Sequence, residues 1–269
     1  MNSAEIKKAA KECGADLVGI APVERFDSLP EKSDPRTLAP GARSVIVVGH
    51  RILRGALRGV EEGTCFYSNY KCFGWEYAEN QFLAKTVYDL CCCIERAGFE
   101  AVPVLSKKFS GNRFEPDYHA YAHAAGLGST GKGGFFLTPE YGHRQRFGFI
   151  FTTLPLGGDE ITDVDFCKDC NACMEACPLG AYDPSGSLNL NLCAQCRNGA
   201  YSSPAESDVV DRYAASCGRA CMVALEKKVG NRFANQFRKR SVWRLGLDGE
   251  ALAIDQFVGG KCPDKFEGK

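Results

Sequence analysis

The chain lacks any apolar run long enough to cross a bilayer. Its longest runs, such as residues 147–156, hold about ten residues broken by Gly, Thr and Pro, against the roughly 20 that a spanning helix needs. Its first eleven residues are polar and carry neither the apolar core and cleavage pattern of a secretory signal nor a twin-arginine pair, so a cytoplasmic location is expected. Net charge is absent too. With 33 basic against 33 acidic residues there is no global field for nucleic acid or anionic lipid, and either partner would need a local patch. A composition of 45% hydrophobic and 25% charged residues excludes disorder and low complexity, and 269 residues suffice for one large domain or two.

Cysteine is what the chain has in excess. Fifteen thiols cannot all pair, and a reducing compartment disfavours a disulfide framework, which leaves metal ligation as the better account. Seven are scattered: Cys13, Cys65, Cys72, Cys91, Cys92, Cys93 and Cys262. Eight crowd between Cys167 and Cys221.

Over the first 155 residues or so, helix and strand signals alternate. Ser3 is placed to cap a helix whose apolar positions Ile6, Ala9, Ala10 and Cys13 recur at helical spacing, with Gly14 ending it. Residues 16–21, 44–49, 99–105 and 147–154 read as strands. Residues 77–97, without Gly or Pro, read as a helix of about five turns. Cys91, Cys92 and Cys93 fall inside that helix, where neighbours diverge by about 100° and cannot meet at one ion, so they are expected to pack as small hydrophobes. The aromatic stretch holding Phe66, Tyr67, Tyr70, Phe73, Trp75 and Tyr77 reads as core or interface before it reads as a planar cofactor's wall.

Cys167, Cys170, Cys173, Cys177 and Pro178 form C-x2-C-x2-C-x3-C-P, the bacterial ferredoxin run for a 4Fe-4S cluster, in which the fourth cysteine serves a second cluster. A zinc site is the competing reading. Cys193, Cys196, Cys217 and Cys221 supply the four ligands still needed. Residues 205–228 read as a helix, which puts Cys217 and Cys221 one turn apart, like Cys173 and Cys177. One cluster is therefore assigned to Cys167, Cys170, Cys173 and Cys221, the other to Cys177, Cys193, Cys196 and Cys217. Met222 stands where a proline usually follows, which leaves the 217/221 exchange less fixed than the count.

Two glycine motifs mislead. Gly126, Gly128 and Gly131 satisfy G-x-G-x-x-G, but residues 116–125 before them look helical, whereas a dinucleotide site needs a strand there. Residues 126–133 nearly match a phosphate loop, yet Gly133 stands where the metal-binding hydroxyl belongs.

Residues 10–21 (AKECGADLVGIA), 38–49 (LAPGARSVIVVG), 125–132 (AGLGSTGK), 137–142 (LTPEYG) and 147–156, followed by the cysteine run, resemble the epoxyqueuosine reductase family, itself similar to the reductive dehalogenases. The likeness spans roughly residues 5–222. It implies an α+β architecture: a nitroreductase-like cobalamin-binding domain over residues 1–157, a two-cluster ferredoxin-like domain over 158–230, and a basic tail over 231–269. It further implies that Gly126, Gly128, Gly131, Lys132 and Arg144, or nearby Arg146, line the corrinoid. The family's catalytic aspartate falls, without gaps, on Asn112, leaving Glu115, Asp117 and His119 as the nearest proton donors; Asp117 and His119 are the catalytic candidates. With 48 residues after Cys221, a counterpart of the family's helical-repeat extension for tRNA is not expected. Lys227, Lys228, Arg232, Arg238, Lys239, Arg240 and Arg244 are expected to form a solvated or donor-docking face more than an RNA site.

The expected function is an iron-sulfur oxidoreductase, with two 4Fe-4S clusters passing electrons to cobalamin, which acts on a small organic substrate. A ferredoxin or flavodoxin is the expected donor. The rival is an electron-transfer or corrinoid-handling protein without a substrate, and a third reading puts flavin in place of the corrinoid.

Overall fold

A computed structural model describes residues 1–57, 66–105, 114–177, 179–183, 185–194, 200–201, 210–230, 242–245 and 251–254. Cys65, Asn112, Pro178, Cys196, Cys262, Arg232, Arg238, Lys239 and Arg240 lie outside the described residues. Two compact units interleave along the chain. The first comprises Met1–Ile52, Trp75–Ser129 and Gln145–Asp163; the second Leu53–Gly74, Thr130–Arg144 and Val164–Lys269.

In the first unit, helix α1 (Ser3–Glu12) buries Ile6 and Ala10. Its cap is Asn2, not Ser3: the Asn2 side chain accepts from the Glu5 amide at 3.0 Å, and the Glu5 carboxylate accepts from the Asn2 amide at 2.9 Å, a reciprocal box. Ser3 instead donates its hydroxyl to the Gly157 carbonyl. Gly14, at φ +102°, ends the helix in a conformation that a side chain would resist.

Four strands, β1 (Leu17–Pro22), β2 (Ser44–Arg51), β3 (Ala101–Leu105) and β4 (Gln145–Thr152), form one sheet in the order β1-β2-β4-β3. Every pairing is antiparallel, which makes the fold mixed α+β. The two central strands are buried on both faces, so the sheet needs cover on both. Ile20, Ile46 and Ile150 stand in register on one face. They join Ile6 and Ala10 of α1 and Val87, Leu90 and Ile94 of α2 (Ala84–Arg96) in one core. Gly148 lets α2 approach closely, since a Cβ there would lie 2.6 Å from the Val87 methyl.

The opposite face is aromatic. Phe149 and Phe151 meet Tyr121 of α3 (Tyr118–Ala124) edge-on at 5.4 and 5.6 Å, and Tyr121 meets Phe26 at 5.3 Å. Each such pair adds about 0.5–1.5 kcal/mol beyond its buried area. The buried Tyr121 hydroxyl donates to the Ser33 carbonyl at 2.6 Å, so its polar end costs little.

The helix expected over 77–97 is α-helical over only part of that range. Ala78–Leu83 is π-helical and only Ala84–Arg96 is α-helical. The absence of Gly and Pro marks a helix but does not set its hydrogen-bond spacing. On α2, Cys91 is buried, and burial pushes its thiol up to about 12, which leaves it unreactive. Cys92 and Cys93 are half-buried beside it in sequence. Replacing all three by Ala should leave iron content unchanged and lower the melting temperature modestly, chiefly through Cys91; a folded triple variant that has lost iron would overturn this packing role. In the second unit Tyr70 is fully buried while Phe73 is 42% exposed, so the aromatic stretch is partly core.

Candidate metal centre

The second unit brings the clustered cysteines onto short helices and turns. α4 (Ala172–Glu175) carries Cys173, α5 (Leu190–Ala194) carries Cys193, and α6 (Ser216–Leu225) carries Cys217 and Cys221 one turn apart. The expected helix over 205–228 is shorter than its apolar pattern suggests. Val210–Asp211 is a strand and Arg212–Ala214 a 3-10 turn, with α6 beginning only at Ser216. The turn folds back onto α6, where any Cβ on Gly218 would overlap the Arg212 carbonyl oxygen.

Cys167, Cys170, Cys173 and Cys221 line one pocket, floored by Phe135, Leu137, Phe166 and Leu225. Cys177 and Cys193 lie within electrostatic reach of Cys217, which is also within reach of Cys173. The Ala181 amide donates to the Cys177 sulfur at 3.3 Å, which fixes that side chain. Burial pushes the Cys173 thiol up to about 11, and it raises Cys217 and Cys221 as well. As thiolates in such surroundings they need a cation to compensate them.

Among the described residues, no three Cys, His or carboxylate side chains close around the position of a single ion. A cubane is larger than an ion and spreads its four iron corners, so its ligands ring a pocket, whereas those of zinc converge on a point. The glycine loop fits the same site. A Cβ on Gly131 would lie 2.8 Å from the Cys167 sulfur and 2.7 Å from Leu137, and one on Gly133 3.2 Å from the Cys173 sulfur. Lys132 donates to the Lys168 carbonyl at 3.3 Å and to the Asn171 side-chain oxygen at 3.2 Å, spanning the loop that carries Cys170.

The other sequence candidates divide between the units. In the first, Gly126 lies so close to the Glu160 carbonyl that a Cβ would overlap it, and Gly128 is buried at φ +143°. Asp117 caps α3, accepting from the Ala120 amide at 3.0 Å; Asp117 and His119 are exposed. Arg146 pairs with Glu79 at 3.3 Å. In the second, Arg144 is buried and its amide donates to the Tyr141 carbonyl.

Sequence reasoning noticed Gly133 only as a failure of the phosphate loop. It missed Arg212 altogether, although a cation five residues before a ligand cysteine is a readable signal. The Arg212 guanidinium donates to the Gly133 carbonyl at 2.7 Å and to the Tyr182 hydroxyl at 3.3 Å, and it stands 4.8 Å over the Phe135 ring.

No family model matches the chain. It is 30% identical over 216 residues to the epoxyqueuosine reductase of Gloeobacter violaceus, covering 71% of this chain and 64% of that one. Its fold resembles that of an epoxyqueuosine reductase solved with an epoxyqueuosine-modified tRNA-Tyr stem loop (TM-score 0.54, 22% identity, 73% of this chain and 58% of that one). It also resembles a reductive dehalogenase whose structure suggests a mechanism for B12-dependent dehalogenation (TM-score 0.57, 18% identity, 97% and 41%). The chain spans about half the length of the curated relatives it matches.

Proposed function

We propose, from the premise that this chain is an epoxyqueuosine reductase-like oxidoreductase related to the B12-dependent dehalogenases, that it passes single electrons through two 4Fe-4S clusters to a corrinoid acting on a small organic substrate. The observation that carries the cluster part is the grouping of thiols: Cys167, Cys170, Cys173 and Cys221 around one pocket, with Cys177 and Cys193 within electrostatic reach of Cys217. Cys196 completes the second set by its spacing.

The clusters supply one-electron transfer at low potential. The chain's own share is to hold the thiols, keep water from the apolar floor of the pocket, and fix Cys177 through the Ala181 amide. The corrinoid rests on kinship. Gly126, Gly131 and Lys132 already have contacts within the protein that account for them, so these residues do not by themselves build a corrinoid cradle, and no step is derived through it.

One observation favours the rival, an electron-transfer or corrinoid-handling protein: Asp117 is engaged as a helix cap. Nucleic acid is a partner to test because a related structure holds a tRNA stem loop. Anaerobically prepared protein should hold about eight iron and eight labile sulfide per chain. A reproducible value near four, or stoichiometric zinc, overturns the two-cluster reading. Cobalamin extracted from the same preparation supports the corrinoid, and flavin in its place removes it. A gel shift with an epoxyqueuosine-bearing stem loop separates a tRNA substrate from a small molecule.

A further inference from the structure

Arg212 is a half-buried cation beside the clustered cysteines that has no part in holding them. The 3-10 turn Arg212–Ala214 and the missing side chain at Gly218 hold its backbone against α6. Its guanidinium is fixed from several sides, by the Gly133 carbonyl, the Tyr182 hydroxyl and the Phe135 ring. Its carbonyl oxygen lies against Gly218, next in the chain to Cys217, and Tyr182, which takes its hydrogen bond, follows Ala181, whose amide holds the Cys177 sulfur. Its Nε is buried and has no hydrogen-bond partner among the described residues. A guanidinium is normally matched by a carboxylate; this one meets a carbonyl, a phenol and an aromatic ring.

We propose that Arg212 is a positioning residue for the cluster of Cys177, Cys193, Cys196 and Cys217, and that it raises that cluster's reduction potential. The inference rests on the two-cluster reading above. Reduction adds one electron from a low-potential donor and no proton, so the cluster gains one negative charge. A fixed guanidinium in weakly screened surroundings favours the more negatively charged product. The free Nε–H is a further donor, which an acceptor arriving with the cluster would satisfy.

The test uses the full chain, loaded anaerobically, with mediated dithionite titration followed by electron paramagnetic resonance. Wild type, Arg212→Lys, Arg212→Gln and Arg212→Leu are compared, each first assayed for iron. In variants with full iron, one of the two midpoints should fall. Arg212→Leu and Arg212→Gln should shift the reduced-to-oxidised ratio at least tenfold, which is about 59 mV for one electron. Arg212→Lys keeps the charge without the fork and should recover part of that shift. The midpoint that moves should be the one left in a Cys221→Ala protein. Unchanged midpoints in any neutral variant with full iron overturn the proposal, as does movement of the other midpoint alone. If Arg212→Leu sheds iron, Arg212→Gln and Arg212→Lys carry the measurement. Wild-type iron near four would instead sink the two-cluster reading itself, so the two failures are distinguishable.

Discussion

Changing Cys221 to Ala should remove one cluster and leave the other, lowering iron from about eight to about four per chain, and changing Cys217 to Ala should do the same to the opposite cluster. The two residues are one turn apart on α6, and both are buried, so a single variant says little by itself. Their neighbours differ. Cys221 lines the pocket of Cys167, Cys170 and Cys173, whereas Cys217 does not line it and has Cys177 and Cys193 within electrostatic reach. Double variants turn this into a decision. Cys221→Ala with Cys167→Ala should cost no more iron than Cys221→Ala alone, because both act on one cluster. Cys221→Ala with Cys177→Ala should leave almost none. Iron assays and the resonance signal of the remaining cluster read both outcomes; the reverse pattern would exchange Cys217 and Cys221 between the clusters. Either single change deletes only a thiol from a packed helix, so the loss of folding stability should be about that of a small buried group, 1–2 kcal/mol, too little to account for lost iron by unfolding.

Much of this was legible locally. Four closely spaced cysteines before a proline announce a cluster, and an i, i+4 pair on an apolar helix puts two ligands on one face. The strands at 44–49 and 147–154 showed as β-branched and aromatic runs and came out two residues longer or shifted by two. What was not legible depends on partners distant in the chain. Nothing near Gly218 says that a turn four residues upstream must lie against it, so the start of α6 was set too early. Nothing near residues 77–83 distinguishes i+4 from i+5 hydrogen bonding. The glycines of 126–133 looked alike as a motif, yet Gly126 is required by the carbonyl of Glu160 and Gly131 by the sulfur of Cys167. A motif records that small residues are needed, not what crowds them.

That difference yields the sharpest expectation for the loop: Gly131→Val should cost the cluster of Cys167, Cys170, Cys173 and Cys221, bringing iron to about four, before it affects binding of any other cofactor. Its Cβ would already lie 2.8 Å from the Cys167 sulfur and 2.7 Å from Leu137, closer than such contacts occur, and the valine methyls add further bulk to a residue that lines the pocket. Leu137 is buried and Cys167 must hold its position to ligate, so neither can yield cheaply. Lys132→Ala should be milder. It loses exposed bonds to the Lys168 carbonyl and the Asn171 side chain, worth about 0.5–1.5 kcal/mol, and should keep full iron while losing it faster to a chelator. Iron assay and cobalamin calorimetry on the same preparations separate two roles for the loop. If Gly131→Val keeps about eight iron and abolishes cobalamin binding, the glycine faces the corrinoid and its part in housing the cluster falls. If iron halves while cobalamin still binds, the loop belongs to the thiols, and the corrinoid must be held by residues other than Gly131.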